Sequence, residues 1–166
     1  MGKENKFKKY IKRYYLVYII IAVALTLDLV TKAVFTNKNI TLIPKVLSFV
    51  YTENTGGAFS MLSSATWLLI VSSIIFILLI VVTEKFYKTE SKLFLVAYSL
   101  ILAGAVGNLI DRIIFKYVRD FIKLDFMDFS RMNTIFNVAD ICVTVGVVLM
   151  ILHFIISLVK EKKVEK

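Results

Sequence analysis

The sequence predicts an all-α membrane protein: four transmembrane helices with a small extracytoplasmic, β-rich loop platform. Three observations carry this. Of 166 residues, 58% are hydrophobic, and mean hydropathy is +0.78. A water-soluble domain of this size could not bury so much apolar surface, so lipid is the natural solvent. Four apolar runs, at about 14–35, 62–83, 93–115 and 139–159, are each long enough to cross a hydrocarbon core of ~30 Å. No soluble domain remains between them, and residues 1–166 read as one polytopic domain.

The first run is interrupted by Asp28 and Lys32. It is too long for the core of a cleaved leader and no small-x-small cleavage signal follows it, so it reads as a span. The second run carries no charge, and the third none until Asp111 and Arg112. The fourth begins beside Asp140 and is then free of formal charge to Val159. Between the first two runs, "TLIPKVLSFVYT" (41–52) mixes β-branched and aromatic residues and predicts short strands. Such a platform, with one edge open, could hold an extended peptide by strand addition. Asn54 followed by Gly56 and Gly57 supports tight turns.

A net charge of +9 would raise nucleic-acid binding for a soluble protein, but its placement argues otherwise. Lys3, Lys6, Lys8, Lys9, Lys12 and Arg13 precede the first span; Lys85, Lys88 and Lys92 separate the second from the third; Lys160, Lys162, Lys163 and Lys166 follow the fourth. The positive-inside rule puts both termini and the 84–92 turn in the cytoplasm, with loops 36–59 and 116–135 outside. The basic N-terminal segment suits anionic lipid headgroups, and no aromatic-basic platform for nucleic acid accompanies it. The single cysteine, Cys142, cannot form an intrachain disulfide and reads as a packing residue. With no CxxC or HExxH, and with His153 lacking a nearby ligand partner, no metal site is expected.

Ionisable residues inside spans point to a functional site, and here topology makes them converge. The first and third helices run outward and the fourth runs inward. Asp28 then lies roughly 10 Å below the outer exit, while Asp111, Asp120 and Asp140 gather at or beside the outer ends. Asp28 and Lys32 share a helix face at i,i+4 and can pair. Asn108 shares a face with Asp111 and Arg112, and Arg112 is free to reach elsewhere. Asp120 and Asp140 have no obvious local cation apart from Arg119. Two such carboxylates in a partly dry site share one proton, the arrangement with which an aspartic protease activates water and polarises a carbonyl.

Simpler readings accompany these. Asn137 followed three residues later by Asp140 is ordinary helix-capping chemistry. Arg112 could snorkel to headgroups, and Gly104 with Gly107 suits close helix packing. Asp125 and Asp128 read as solvated loop residues. The competing function is a small four-helix proton-coupled transporter using Asp28. Against it, the polar groups gather at one face rather than the midplane, and no internal repeat is visible.

Five segments in order, "DLVTK" (28–32), "NTGGAF" (54–59), "AGAVGNLIDR" (103–112), "VRDF" (118–121) and "FNVAD" (136–140), make the chain resemble the lipoprotein signal peptidase (signal peptidase II) family. The resemblance implies an intramembrane aspartic endopeptidase of the bacterial cell membrane, with its site near the outer leaflet. Its members remove the signal peptide of prolipoproteins just before a diacylglyceryl-modified cysteine. It implies Asp120 and Asp140 as the catalytic pair, with Asp28, Lys32, Asn54, Asn108, Arg112, Asn137 and Ala139 organising site and substrate. No cofactor or metal is implied; inhibition by globomycin-type depsipeptides and a monomeric enzyme among membrane lipid are expected. Two departures bear on the 113–135 loop. Lys116 stands where the family often has glycine, and Thr134 where proline is common.

Overall fold

The computed structural model describes residues 3–55, 66–87, 91–125 and 135–164. Its elements run α1 (Lys3–Phe35), β1 (Asn39–Ile43), β2 (Leu47–Asn54), α2 (Thr66–Tyr87), α3 (Lys92–Phe115), β3 (Val118–Leu124), β4 (Ile135–Phe136) and α4 (Val138–Val164). Four helices are long and apolar enough to cross a membrane: Tyr14–Phe35, Thr66–Glu84, Lys92–Phe115 and Val138–Glu161. The architecture is the one expected, a helical membrane bundle carrying a small antiparallel sheet.

Helix α1 extends well before the predicted span, because nothing between Lys3 and Phe35 breaks it and Lys and Arg are good helix formers. Helix α3 is the centre of the bundle. Over half of its spanning window is buried (56%), whereas none of that of α2 is (0%). Ser91 caps its start, accepting from the Phe94 amide. The bundle is layered along its length. At the end carrying the chain termini, Val17, Phe94, Leu95 and Tyr98 form an aromatic-aliphatic core. His153 is buried there between the Tyr87 and Ser91 hydroxyls. A middle layer of small residues, Ala24, Ala103 and Cys142, follows. The third layer, beneath the sheet, is polar.

Close approach creates the room for that third layer. A Cβ on Gly104 would overlap the Ala139 carbonyl, and one on Gly107 would lie 2.5 Å from the Asp28 carboxylate. The small-residue face therefore lets α3 pack directly on α4 and on the Asp28 side chain.

The sheet has strand order β1-β2-β3-β4, all antiparallel. The turn between β1 and β2 places Pro44 before Lys45, whose φ is 62°, and closes with a Val46 N–H to Ile43 carbonyl bond of 3.0 Å. Proline followed by a positive φ is type II turn geometry. Strands β3 and β4 were not foreseen. β3 pairs with β2 across two intervening helices, so no local pattern encodes it. Asp125 is not simply solvated: it accepts from the Ser48 hydroxyl and pairs with Lys123 at 3.1 Å, closing the β2–β3 ladder. Gly56, Gly57, Asp128 and Thr134 lie outside the described residues.

The Lys116 departure has a defined place. Lys116 is the C-cap of α3, with φ 70° and ψ 5°, its N–H bonded to the Arg112 carbonyl. This left-handed conformation strains a side chain and suits glycine. We therefore expect Lys116→Gly to stabilise the protein by about 0.5 kcal/mol after allowing for the freer unfolded chain. Thermal unfolding in detergent would read this as a raised Tm; a lowered Tm would refute it.

Candidate active site

The polar layer is organised around Lys32, which is fully buried (0% exposed). Its ammonium lies 2.8 Å from Asp28 Oδ2 and 3.5 Å from Asp111 Oδ2, and it donates to Asn108 Oδ1 at 3.0 Å. Asp28 and Lys32 thus form the i,i+4 pair that their spacing allows. Asp28 Oδ1 accepts from the Ala139 amide at 2.8 Å, which ties α1 to the first turn of α4. Ala139 is itself buried, and its backbone rather than its methyl supplies this polar contact.

Asp111 also has zero exposure. It takes a two-pronged contact from Arg119, Nη2 to Oδ1 at 2.8 Å and Nε to Oδ2 at 3.2 Å, and the Arg119 amide adds a bond of 3.0 Å. The Arg119 guanidinium also stacks 4.5 Å above the Phe115 ring. Arg119 therefore serves Asp111 rather than its neighbour Asp120, because consecutive strand residues point to opposite faces. The sequence offered no signal for this clamp beyond two charges eight positions apart in chain order.

Asp120 and Asp140 meet through asparagines. Asp120, buried on β3, accepts from Asn54 Nδ2 at 2.8 Å and from Asn137 Nδ2 at 2.6 Å. Asp140 accepts from Asn108 Nδ2 at 2.8 Å and from the Asn137 amide at 3.1 Å. Asn137 completes a reciprocal cap, its Oδ1 accepting from the Asp140 amide at 3.0 Å, and its Nδ2 also reaches Asn108 Oδ1 at 3.1 Å. Capping and site assembly thus use the same residue. A continuous run of donors leads from Lys32 through Asn108 to Asp140, and from Asn137 to Asp120.

Burial pushes the Asp120 carboxyl up to about 7, and the Asp140 charge adds to that push; the Asn54 and Asn137 bonds and the Lys32 charge oppose it. Arg112 is half-buried with its charge facing Asp140, Asp120 and Asp111. Its Nε is buried without a hydrogen-bond partner among the described residues. Asn54, Asp120 and Asp140 line a cavity of about 520 Å³ together with Ile135, Phe136, Ile141, Thr144 and Val145. Asp28, Lys32, Asn108, Arg112, Asn137 and Ala139 are not among its lining residues. Among the described residues, no three His, Cys, Asp or Glu side chains are grouped to hold a metal ion. Asp28, bound to both Lys32 and the Ala139 amide, is engaged within the network and does not line the cavity.

A solved bacterial membrane enzyme superposes on the chain with a TM-score of 0.74 at 31% identity, over 91% of this chain and 92% of that one. A second solved bacterial membrane enzyme gives 0.72, also at 31% identity, over 84% and 92%. The fold is that of a small polytopic bacterial membrane enzyme. The sequence is 42% identical over 124 residues to a lipoprotein signal peptidase of Latilactobacillus sakei subsp. sakei (strain 23K), covering 74% of this chain and 76% of that one. It is 38% identical over 142 residues to one from Clostridium tetani (strain Massachusetts / E88), covering 82% and 90%. The description "Signal peptidase (SPase) II" matches residues 20–156. The chain belongs to the signal peptidase II family.

Removing the Lys32 charge tests the layer beneath the aspartates. Lys32→Met leaves the buried Asp28 carboxylate without its paired cation and should cost about 3–5 kcal/mol. The double variant Asp28→Asn with Lys32→Met should recover part of that loss. Chemical denaturation in micelles measures both; additive losses in the double variant would refute the pairing.

Proposed function

We propose that this chain is an intramembrane aspartic endopeptidase that removes the signal peptide from diacylglyceryl-modified prolipoproteins, cutting just before the lipidated cysteine. The observation that carries the reading is the pair Asp120 and Asp140, bridged by Asn137 and both lining one cavity. The sheet end faces outward, a reading supported by Lys92 and Lys160 lying toward the opposite end, as the positive-inside rule requires. The site then lies near the outer leaflet, where water can reach a bond anchored in lipid.

Charge balance supports a single shared proton. Four carboxylates, Asp28, Asp111, Asp120 and Asp140, face three cations, Lys32, Arg112 and Arg119. One added proton neutralises the layer, the state a low-dielectric setting favours. With its carboxyl raised to about 7, Asp120 holds that proton. Asp140 lies in the first turn of α4, where the helix dipole favours negative charge.

In the proposed reaction, ionised Asp140 takes a proton from water as the water oxygen bonds to the scissile carbonyl carbon. Asp120 gives its proton to the carbonyl oxygen, and a gem-diol forms. Asp140 then returns its proton to the leaving cysteine nitrogen, the C–N bond breaks, and Asp120 recovers a proton from a gem-diol hydroxyl. The products are a signal peptide carboxylate and a lipoprotein with a free N-terminal amine. Asn54 and Asn137 orient Asp120, while Asn108 and Asn137 orient Asp140. Arg112 supplies positive charge beside the aspartate pair, and Asp28, Lys32 and Ala139 hold the first turn of α4.

Two outcomes follow. Asp120→Asn and Asp140→Asn should each abolish cleavage of a diacylglyceryl prolipoprotein in micelles, by at least about 10³-fold, while leaving the fold intact; retained cleavage in either would sink the assignment. The protonated Asp120 population falls as pH rises through about 7, so kcat/KM should decline on the alkaline side of that value. A profile rising from pH 7 to 9 would contradict this proton assignment.

A further inference from the structure

We propose that the Thr144 hydroxyl donates to a main-chain carbonyl of the bound signal peptide, on the N-terminal side of the scissile bond. This rests on the peptidase reading above. Thr144 lies on α4 one turn beyond Asp140, about 6 Å along the axis, and both residues line the same cavity.

Elsewhere in the bundle, most of the described helix Ser and Thr hydroxyls turn back onto their own backbone, Thr66 instead bonding the Lys116 carbonyl. Thr31 bonds the Leu27 carbonyl, Ser73 Leu69, Thr83 Leu79, Ser99 Leu95 and Ser157 His153. Back-bonding satisfies a hydroxyl where lipid offers no partner. The Asp140 carbonyl stands in the same i−4 relation to Thr144, yet the Thr144 hydroxyl has no hydrogen-bond partner among the described residues. It is exposed on the cavity wall. Thr26 of α1 shares the lack of a partner, but it lies in an apolar groove with Ala22, Val23 and Leu27, away from any carboxylate in that groove.

The chemistry of the substrate says what the Thr144 hydroxyl meets. A signal peptide crosses lipid as a helix, with every carbonyl bonded internally. Presenting one peptide bond to two aspartates requires the adjoining segment to be extended, which frees carbonyls at a depth where water is scarce. An extended chain advances about 3.3 Å per residue, so a donor about 6 Å from Asp140 meets the backbone roughly two residues before the cut. Ile141 and Val145, flanking Thr144 on the same wall, provide apolar contacts for the side chains there. Thr144 supplies the one donor that the unwound segment needs.

The test is steady-state cleavage of a synthetic diacylglyceryl-cysteine prolipopeptide in proteoliposomes. Enzymes compared are the wild type, Thr144→Val, Thr144→Ala, Thr144→Ser and the control Thr26→Val. Losing the donor removes binding shared by ground and transition states, so Thr144→Val and Thr144→Ala should each raise KM about tenfold. The same variants should leave kcat within about twofold. Thr144→Ser should restore the wild-type KM, and Thr26→Val should match the wild type. An unchanged KM in both hydroxyl-free variants overturns the proposal, as does failure of Thr144→Ser to restore it, which assigns the effect to packing. If the wild type itself leaves the lipidated peptide uncut, the peptidase reading falls and this inference falls with it.

Discussion

A lysine ammonium sealed from solvent inside an apolar bundle is the constraint on which the rest of this structure depends. An unpaired charge in such a place is strongly unfavourable, so Lys32 must be surrounded by acceptors, and those acceptors come from two helices. Asp28 answers it from α1 and passes the connection to α4 through the Ala139 amide. Asp111 answers from α3 and passes it to the sheet through Arg119. Asn108 answers through its carbonyl oxygen, which turns its amide nitrogen toward Asp140. One buried cation thereby sets the relative positions of three helices and the strand that carries Asp120.

The groups next to the two cavity aspartates are mostly amides, not cations. Asn54, Asn108 and Asn137 donate neutral hydrogen bonds to Asp120 and Asp140, while Lys32 and Arg119 are engaged with Asp28 and Asp111. The division matters physically. A cation bonded directly to either carboxylate would hold it ionised, whereas amides fix geometry without adding charge. Small residues make the separation possible, since Gly104 and Gly107 bring α3 against α4 at the level of the network.

The chemistry at the start of α4 carries two roles at once. Asn137 and Asp140 cap the helix reciprocally, and the same Asn137 side chain reaches Asp120. Capping holds the Asp140 carboxylate where the helix begins, and the cavity runs from there along α4 past Thr144. The aspartate at the lip of the last span is both a structural terminus and one wall of the site.

Much of this was legible in the sequence because it depends on short-range pattern. The apolar runs mark the spans, the i,i+4 spacing of Asp28 and Lys32 marks their ion pair, and the Asn137–Asp140 spacing marks the cap. Short strands within 41–52 were also legible, from β-branched and aromatic residues there, though not their pairing into a hairpin. The partner of Arg119 was not, nor was the burial of Asp120 on a strand bonded to β2. Those contacts join residues separated by whole helices, and they form only when the bundle brings the two loops to the same end. By itself the sequence determined where the chain crosses lipid and which polar groups it carries there, since both follow from local hydropathy and spacing. Tertiary structure alone decided which carboxylates are neutralised and which two are left facing one cavity, because that depends on charges being paired across helices with no water to replace a missing partner.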